Sequence, residues 1–379
     1  MLGFFAVVVA LTVGVHWYLY VRLFRGPEWP APVSTVGGWA LVGLASSVPL
    51  SFLAVRFLPR AASAPLTWVA MLWLGALFFL VVLLLPSELV RIGDWVARQG
   101  EELGDPARRQ FMSRSIAGVV GVGTLGLGSV SVVGALRDVA VKPVTVPLAG
   151  LPAALRGLKI VQLTDIHVGP TIGRTFMDDL VRKTNALEPD VIAITGDLVD
   201  GSVAELAEHV APLAGLRARH GVYFCTGNHE YYSGADDWIA HLGTLGIDVL
   251  RNEHRVIEHE GARLAIAGVH DWTSGQFGHA TDVSAALDGK DADVPVVLLA
   301  HQPKHIDEAA DHGVALQLSG HTHGGQIFPF NYLVGLDQPY VKGLHDHRGT
   351  QLYVSSGTGY WGPPMRLAVP AEITELTLA

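Results

Sequence analysis

The chain has 379 residues, of which 50% are hydrophobic and only 16% are charged. That proportion is too apolar for an ordinary soluble protein and indicates a membrane region joined to a soluble one. The formal net charge of −9 gives no electrostatic support to a nucleic-acid partner. A single cysteine, Cys225, excludes an internal disulfide and any zinc cluster built from cysteines.

Four apolar runs occupy the first third of the chain and predict transmembrane helices. Each has about the 20 residues that a helix needs to cross the hydrocarbon layer. We therefore expect about four transmembrane helices over residues 1–136, a linker with Pro143 and Pro147 over residues 137–154, and a soluble domain over residues 155–379. The runs are Leu2–Val21, Val36–Val55, Leu66–Leu85, which Pro86 is expected to close, and Ser115–Leu136.

Arginines in the loops predict the orientation of these helices, because positively charged loops stay in the cytoplasm. The first and third loops hold most of them, so both loops are expected in the cytoplasm. An even number of spans then places both termini and the soluble domain outside, in a multi-pass protein of the cell membrane. The arginines are Arg22 and Arg25 in loop one, Arg56 and Arg60 in loop two, and Arg91, Arg98, Arg108, Arg109 and Arg114 in loop three.

Residues 107–112, Ala-Arg-Arg-Gln-Phe-Met, resemble a twin-arginine export signal. Such signals usually stand at the N-terminus, whereas this motif follows three other apolar runs. The alternative interpretation is a pair of arginines that anchors the helix on the cytoplasmic side. The export interpretation agrees with the loop arginines in placing the soluble domain outside the cytoplasm.

Beyond the linker, predicted strands and helices alternate. Strands separated by a helix of about a dozen residues indicate an α/β domain. The later strands have fewer helices between them, which favours a partly mixed or antiparallel sheet. The predicted strands are 158–163, 190–195, 221–226, 263–267, 295–300, 314–318, 351–355 and 372–378, and a helix is predicted over 174–187.

Polar motifs follow several of these strands at the point where each strand ends. Loops from the carboxyl ends of such strands converge on one crevice, so side chains far apart in sequence meet there. Carboxylates, imidazoles and one carboxamide, with no thiolate, suit divalent Mn, Fe or Zn. Each motif alone is ordinary, since Gly-Asp marks turns and aspartate caps helices, but together they predict one metal centre. The motifs are Asp165-Ile-His167, Gly196-Asp-Leu-Val-Asp200, Gly227-Asn-His-Glu230, His301 and Ser319-Gly-His-Thr-His-Gly-Gly325.

In this order the motifs resemble those of the calcineurin-like metallophosphoesterases. The sequence Gly-His-Thr-His-Gly-Gly-Gln beside an apolar N-terminal region is similar to the membrane-associated YkuE/YaeI-type branch. The resemblance covers residues 155–379 and implies a four-layer α/β/β/α sandwich with two divalent metal ions, Mn, Fe or Zn. It implies that Asp165, His167, Asp197 and His323 hold one ion, and that Asp197, Asn228, His301 and His321 hold the other, with Asp197 bridging.

The chemistry expected of such a centre is hydrolysis of phosphomonoesters or phosphodiesters. A hydroxide held between two metals would attack phosphorus in line, while both ions stabilise the developing charge. His229 is adjacent to a ligand but spare, so it is the predicted general acid, and Asp200 is predicted to orient it. Arg366 is a predicted phosphate contact, since arginine grips phosphate with two bonds, and a surface arginine is the alternative.

Apolar side chains after the last metal motif predict a lip that accepts a lipid chain, or else part of the core. With the membrane region they favour a lipid- or envelope-linked substrate, and the resemblance offers a pyrophosphate lipid such as UDP-diacylglucosamine. The alternatives are a phosphoprotein or nucleotide phosphatase, and a non-catalytic membrane sensor that binds metal. No nucleic-acid partner is expected, and the sequence leaves the oligomeric state open. The lip comprises Phe328, Phe330, Tyr332 and Leu333.

The remaining histidines receive no role from the sequence. His270, beside Asp271, follows a strand and is given little weight as a site residue. Cys225 is expected to be a small buried side chain within a strand. The others are expected on the solvated surface: His209, His220, His241, His254, His259, His305 and His312.

Overall fold

The computed structural model describes residues 2–97 and 105–379 and separates into two compact units. A helical unit comprises Met1–Val133 with Gly362–Met365, and an α/β unit comprises Gly134–Trp361 with Arg366–Ala379. Arg98, one of the arginines that predict the orientation, lies outside the described residues.

The helical unit is built from long apolar helices. They are α1 (Leu2–Tyr20), α2 (Ala31–Phe57), α3 (Arg60–Ala97) and α4 (Pro106–Leu136), with a π-helical turn at Val21–Arg25. Within the described residues, α2, α3 and α4 are long and apolar enough to cross a membrane. Since α1 covers the first predicted run, a fourth span stays a prediction.

Pro86 does not close the third helix as predicted, because α3 continues through it to Ala97. A proline removes one backbone hydrogen bond, a loss that side chains in a helical bundle offset. The carbonyl that loses its bond is that of Val82; beyond the proline, the Ser87 hydroxyl donates to the Leu84 carbonyl at 2.7 Å, and Glu88 pairs with Arg22. Polar residues therefore continue the helix beyond the apolar run.

The α/β unit contains two mixed sheets of six strands each. The strands are β1 (Ala140–Val146), β2 (Lys159–Leu163), β3 (Val191–Thr195), β4 (Val222–Cys225), β5 (Asp248–Val249), β6 (Glu253–His259), β7 (Ala262–Gly268), β8 (Val296–Leu299), β9 (Leu316–Ser319), β10 (Gly343–His347), β11 (Thr350–Val354) and β12 (Glu372–Leu378). The first sheet has the order β1-β12-β2-β3-β4-β5, and the second has the order β10-β11-β9-β8-β7-β6.

Shorter helices connect these strands. They are α5 (Arg174–Asn185), α6 (Val203–Val210), α7 (Asn228–Ser233), α8 (Ala235–Thr244), α9 (Val283–Ala286), α10 (Ile306–Asp311) and α11 (Asn331–Val334). The predicted strands and the predicted helix over 174–187 all occur, with bounds that differ by at most two residues. The sequence analysis missed β1, β5, β6 and β10.

Residues 140–146, which the sequence predicts as linker, instead form a strand. β1 pairs in parallel with β12, from Ala140 against Glu372 to Val146 against Leu378. It lies at the edge of its sheet, where a proline such as Pro143 is tolerated because its missing N–H faces no neighbour. The proline that suggested a linker is therefore compatible with an edge strand.

Three hydrophobic clusters arrange the α/β unit in four layers. Ile160 and Val191 of the first sheet share one cluster with Ile266 and Leu299 of the second sheet, so the two sheets pack face to face. The outer face of the first sheet packs on α5, α6 and α8, whose largest side chain is Trp238. The outer face of the second sheet packs on α9 and α10. The predicted α/β/β/α order is confirmed.

Parallel pairing within each sheet determines where the loops converge. β2, β3 and β4 are parallel neighbours, and so are β7, β8 and β9. The loops after these strands therefore leave each sheet on a common edge, which is where open α/β sheets bind ligands.

Candidate metal centre

Five loops bring the predicted site residues together. They follow β2, β3, β4, β8 and β9, and most of the side chains they carry are buried. In that order the loops carry Asp165 and His167; Asp197 and Asp200; Asn228 and His229; His301; and His321 and His323.

Asp165, His167 and His323 form one group of potential ligands, with one donor atom from each lying within 4.8 Å of the others. His167 Nε2 and His323 Nε2 are 3.1 Å apart. His323 Nε2 is also 3.4 Å from Asp165 Oδ1. Two imidazole nitrogens and a carboxylate oxygen so placed suit a divalent transition metal.

Asp197, His301 and His321 form a second group of the same kind. His301 Nε2 lies 3.2 Å from Asp197 Oδ2 and 3.2 Å from His321 Nδ1. His167 Nε2 of the first group lies 3.8 Å from the same Asp197 oxygen. The Asp197 carboxylate therefore stands between the two groups.

Hydrogen bonds orient two of these imidazole rings. His301 Nδ1 lies 2.7 Å from the Thr195 carbonyl and donates to it, because a carbonyl only accepts, and this bond turns Nε2 toward the second group. His167 Nδ1 faces Asp200 Oδ1 at 3.0 Å, which leaves its Nε2 for the first group in the same way.

The other two histidines are held in the neutral form. Burial and the neighbouring His301 lower the pKa of His321 to about 4. Burial, with the charges of His167 and Arg366, holds the pKa of His323 well below its usual range. Neutral imidazole is the form that binds a metal.

Left-handed backbone is concentrated in this centre. Such a conformation costs an ordinary residue about 1–3 kcal/mol and persists where the surrounding structure enforces it, often at functional sites. The residues concerned are Asp165, His167, Asp197, His321 and His323, with φ between 49° and 68°.

Two glycines let neighbouring loops approach the aspartates closely. A Cβ at Gly320 would lie 2.1 Å from Asp165 Oδ2, and one at Gly227 would lie 2.2 Å from Asp197 Oδ1. Real side-chain carbons do not come so close, so larger residues would displace the carboxylates. Steric exclusion by the aspartates therefore explains why Gly-Asn-His-Glu and Gly-His-Thr-His each begin with glycine.

Asn228 provides an independent indication of a bound cation. Its Oδ1 atom is buried and has no hydrogen-bond partner among the described residues. An unpartnered buried oxygen is costly unless an ion or water satisfies it. Since the adjacent His229 N–H donates to Asp197 Oδ1 at 2.9 Å, Asn228 belongs to the same centre. The donor set fits a divalent metal.

Asp200 and His229 form a hydrogen-bonded pair beside these ligands. Asp200 Oδ1 is 2.6 Å from His229 Nδ1. Burial alone would raise the pKa of Asp200, but the charges and hydrogen bonds of His167 and His229 hold it well below its usual range. For His229, burial opposes protonation, yet the hydrogen bond that its Nδ1 donates to Asp200 and the charge of Asp197 prevail and raise its pKa to about 9. His229 is therefore protonated at neutral pH.

Glu230 organises the centre, although the sequence analysis assigned it no role. Its carboxylate is buried and accepts from the N–H groups of Gly227 at 2.7 Å, Asp197 at 2.9 Å and Leu198 at 2.8 Å. It thus ties the loop after β3 to the loop after β4. The available signal was its place in the third helical position of α7, where glutamate caps a helix.

Arg366 is buried at 3% exposure, so its interpretation as a surface arginine is wrong. Its guanidinium donates to the carbonyls of Ser356, Gly359 and Val369. One of its nitrogens lies 3.4 Å from His323 Nδ1. Contact with phosphate stays a prediction, and it would require the exchange of some of these bonds.

Two histidines expected on the surface are buried instead, His305 and His259. His305 is hydrogen-bonded to the Gln302 carbonyl and to the Thr281 hydroxyl, as a core histidine would be. His259 faces His220. The sequence alone does not distinguish these buried histidines from surface histidines, because the residues that cover them come from distant segments of the chain.

Comparison with known proteins connects this centre to a family. The family model of the calcineurin-like phosphoesterases matches residues 158–325. A cattle protein described as a transmembrane protein with metallophosphoesterase domain is 42% identical over 89% of this chain and 79% of its own length. An uncharacterised metallophosphoesterase of Helicobacter pylori is 44% identical over 58% of this chain and 60% of its own. The uncharacterised metallophosphoesterase YkuE of Bacillus subtilis is 31% identical over 62% of this chain and 83% of its own.

Two stacked mixed sheets with carboxylates and imidazoles at the carboxyl ends of their strands define a metal-dependent hydrolase. The chain belongs to the calcineurin-like phosphoesterase family, whose enzymes act on phosphoester bonds. Its apolar helices and its similarity to transmembrane relatives indicate that it is associated with a membrane.

Proposed function

We propose that this chain hydrolyses a lipid- or envelope-linked phosphoester outside the cytoplasm, with two divalent cations as cofactors. The observation that carries the proposal is the pair of ligand groups on either side of Asp197, next to the hydrogen-bonded Asp200 and His229. One group would bind each cation, with Asn228 completing the second. The cations, when bound, activate water for in-line attack and neutralise charge on the phosphoryl oxygens.

His229 acts as the general acid in this proposal. Its Nδ1 is held by Asp200 at 2.6 Å, so its Nε2 remains to protonate the leaving oxygen. Exposed aromatic rings flank it, with the ring centroid of Tyr232 at 5.4 Å and that of Trp361 at 5.9 Å. These rings line the approach to the acid and favour an apolar leaving group there.

The apolar lip supports a lipid-linked substrate. Phe328 is 48% exposed, Phe330 42%, Tyr332 68% and Leu333 57%, which is the opposite of a core location. Leu336, immediately beyond, is 84% exposed. Several large exposed apolar side chains within one short segment are typical of a surface that binds an apolar partner.

Replacing Leu333 with aspartate is expected to lower kcat/KM for a lipid-linked pyrophosphate diester by about tenfold or more, because burying the exposed leucine against a lipid chain would contribute about 1.5–3 kcal/mol. Hydrolysis of soluble nitrophenyl phosphomonoesters and diesters should change less than about twofold, since the metal centre is untouched. The measurement uses the full chain in detergent, stripped of metal and then supplied with Mn, Zn or Fe.

Val256→Asp is the matched control, because Val256 is an exposed apolar residue of β6 outside the lip. Equal loss on soluble and lipid-linked substrates would contradict the lipid preference. Metal bound without turnover of any ester would favour the sensor interpretation over the enzyme.

A reporter fused after Ala379 tests the proposed side of the membrane. We expect a reporter that is active only outside the cytoplasm to give signal there, because the arginines place loops one and three in the cytoplasm and four predicted spans precede the α/β unit. A reporter active only in the cytoplasm serves as the control. Signal from the cytoplasmic reporter alone would overturn both the orientation and the export interpretation of the twin-arginine motif.

A further inference from the structure

A second cluster of metal-binding side chains lies at the other end of the α/β unit. Asp190, His220 and His259 each offer one ligand atom within 4.8 Å of the others. Asp190 directly precedes β3 and His220 stands two residues before β4, whereas the catalytic loops follow those strands. The five residues of β3, about 17 Å of strand, separate Asp190 from the loop of Asp197.

Each member of this cluster is held on rigid backbone. The backbone N–H of His220 donates to the Asp190 carbonyl at 2.7 Å. The backbone carbonyl of His220 accepts a hydrogen bond from the Tyr223 hydroxyl at 2.7 Å. Asp190 Oδ2 accepts the Lys159 N–H at 2.9 Å. His259 is the last residue of β6, at a tight turn to β7 whose two residues both have positive φ.

The two imidazoles face each other as the pairs in the catalytic centre do. His220 Nε2 and His259 Nδ1 are 2.9 Å apart, against 3.1 Å and 3.2 Å for the catalytic pairs. Two nitrogens on one tetrahedral zinc ion lie about 3.3 Å apart, given zinc–nitrogen bonds of about 2.0–2.1 Å. A small rotation of either ring would reach that spacing.

The surroundings favour the form of imidazole that binds metal. Burial, the neighbouring His259 and the charge of Arg219 lower the pKa of His220, so it is neutral at neutral pH. His259 is buried, while Asp190 and His220 are partly exposed, which leaves a path for an ion. A hydrogen bond between the two histidines accounts for their contact, whereas the Asp190 carboxylate, which also accepts the Lys159 N–H, adds a third donor atom within 4.8 Å.

We propose that Asp190, His220 and His259 bind one further divalent cation of the zinc type, separate from the catalytic centre. Two imidazoles and a carboxylate, with water in the fourth position, are a common zinc ligand set. Because β3 and β4 belong to the first sheet and β6 to the second, the ion ties the tip of the β6–β7 hairpin to the opposite sheet.

Counting zinc in variants of the full chain tests this site. The protein is stripped with a chelator, supplied with zinc and freed of unbound metal before bound ions are counted. His259→Gln and His220→Gln should each bind one zinc ion per chain fewer than the unmodified protein. His312→Gln, at an exposed histidine, should bind as many. The test uses the difference in bound zinc between each variant and the unmodified chain. That difference does not depend on how many ions the catalytic centre retains.

A zinc count in both cluster variants equal to that of the unmodified chain would overturn the proposal. A second measurement uses only the unmodified chain, so it does not depend on whether the variants fold. Crystals of the unmodified chain grown with zinc should show an anomalous zinc peak between His220 Nε2 and His259 Nδ1. If zinc scatters at the catalytic ligands but not there, the cluster is only a hydrogen-bonded pair.

Discussion

Replacing Asp197 with asparagine is expected to lower kcat by about 10³-fold or more, the scale of losing metal-ion stabilisation of the transition state. Asp197 Oδ2 lies between the two ligand groups, 3.2 Å from His301 Nε2 and 3.8 Å from His167 Nε2. Asparagine keeps the size of the side chain but loses its charge and one acceptor oxygen. Metal content, measured beside kcat, should fall as well.

Asp293→Asn is the control for this substitution, since the Asp293 side chain is 83% exposed in a surface ion pair. It removes the same charge from the chain far from the ligands and should leave both readouts unchanged. Full metal content in Asp197→Asn, with turnover near that of the unmodified chain, would show that Asp197 does not bridge.

Replacing His229 with alanine is expected to lower kcat about 10²–10⁴-fold on an alkyl phosphoester, the usual contribution of a general acid. The loss on a 4-nitrophenyl ester should be far smaller, because nitrophenolate leaves without a proton. Asp200→Asn should show the same dependence on the leaving group, since Asp200 Oδ1 holds His229 Nδ1. Metal content of His229→Ala should stay that of the unmodified chain, whereas Asp200→Asn also alters the hydrogen bond that orients the ligand His167.

The metal measurement matters because His229 also lies within ligand distance of His167 and Asp197. Loss of metal from His229→Ala would indicate that this histidine is a metal ligand. An equal loss of turnover on both esters would contradict its role as the general acid. His312→Ala, at an exposed histidine, controls for the loss of an imidazole.

The α/β class could be predicted because strand and helix patterns are local, whereas the order of the four layers was implied by the resemblance to the calcineurin-like phosphoesterases. Continuous apolar segments such as Val191–Thr195 have both faces buried, and that burial requires a layer on each side. Residues 140–146 escaped prediction, since their outer positions are exposed and their pairing partner lies at the end of the chain. No local pattern contains that partner.

In the candidate site too, local motifs could be predicted from the sequence, whereas contacts between distant segments could not. Asp165, Asp197 and His301 could be found because each follows a recognisable strand within a motif. Glu230 was missed because its role is to accept N–H groups from another loop. For Arg366 only the surface alternative was wrong, because the loops that bury this residue come from separate segments.

By itself, the sequence determined the membrane region, the α/β class and the donor atoms of the metal centre, because hydropathy, strand periodicity and ligand type are properties of short segments. Only the tertiary structure decided which nitrogens face one another, which oxygen remains without a partner, and which histidines are buried. Those are distances between segments far apart in the chain. His259 and Asp190 approach each other only when the two sheets stack.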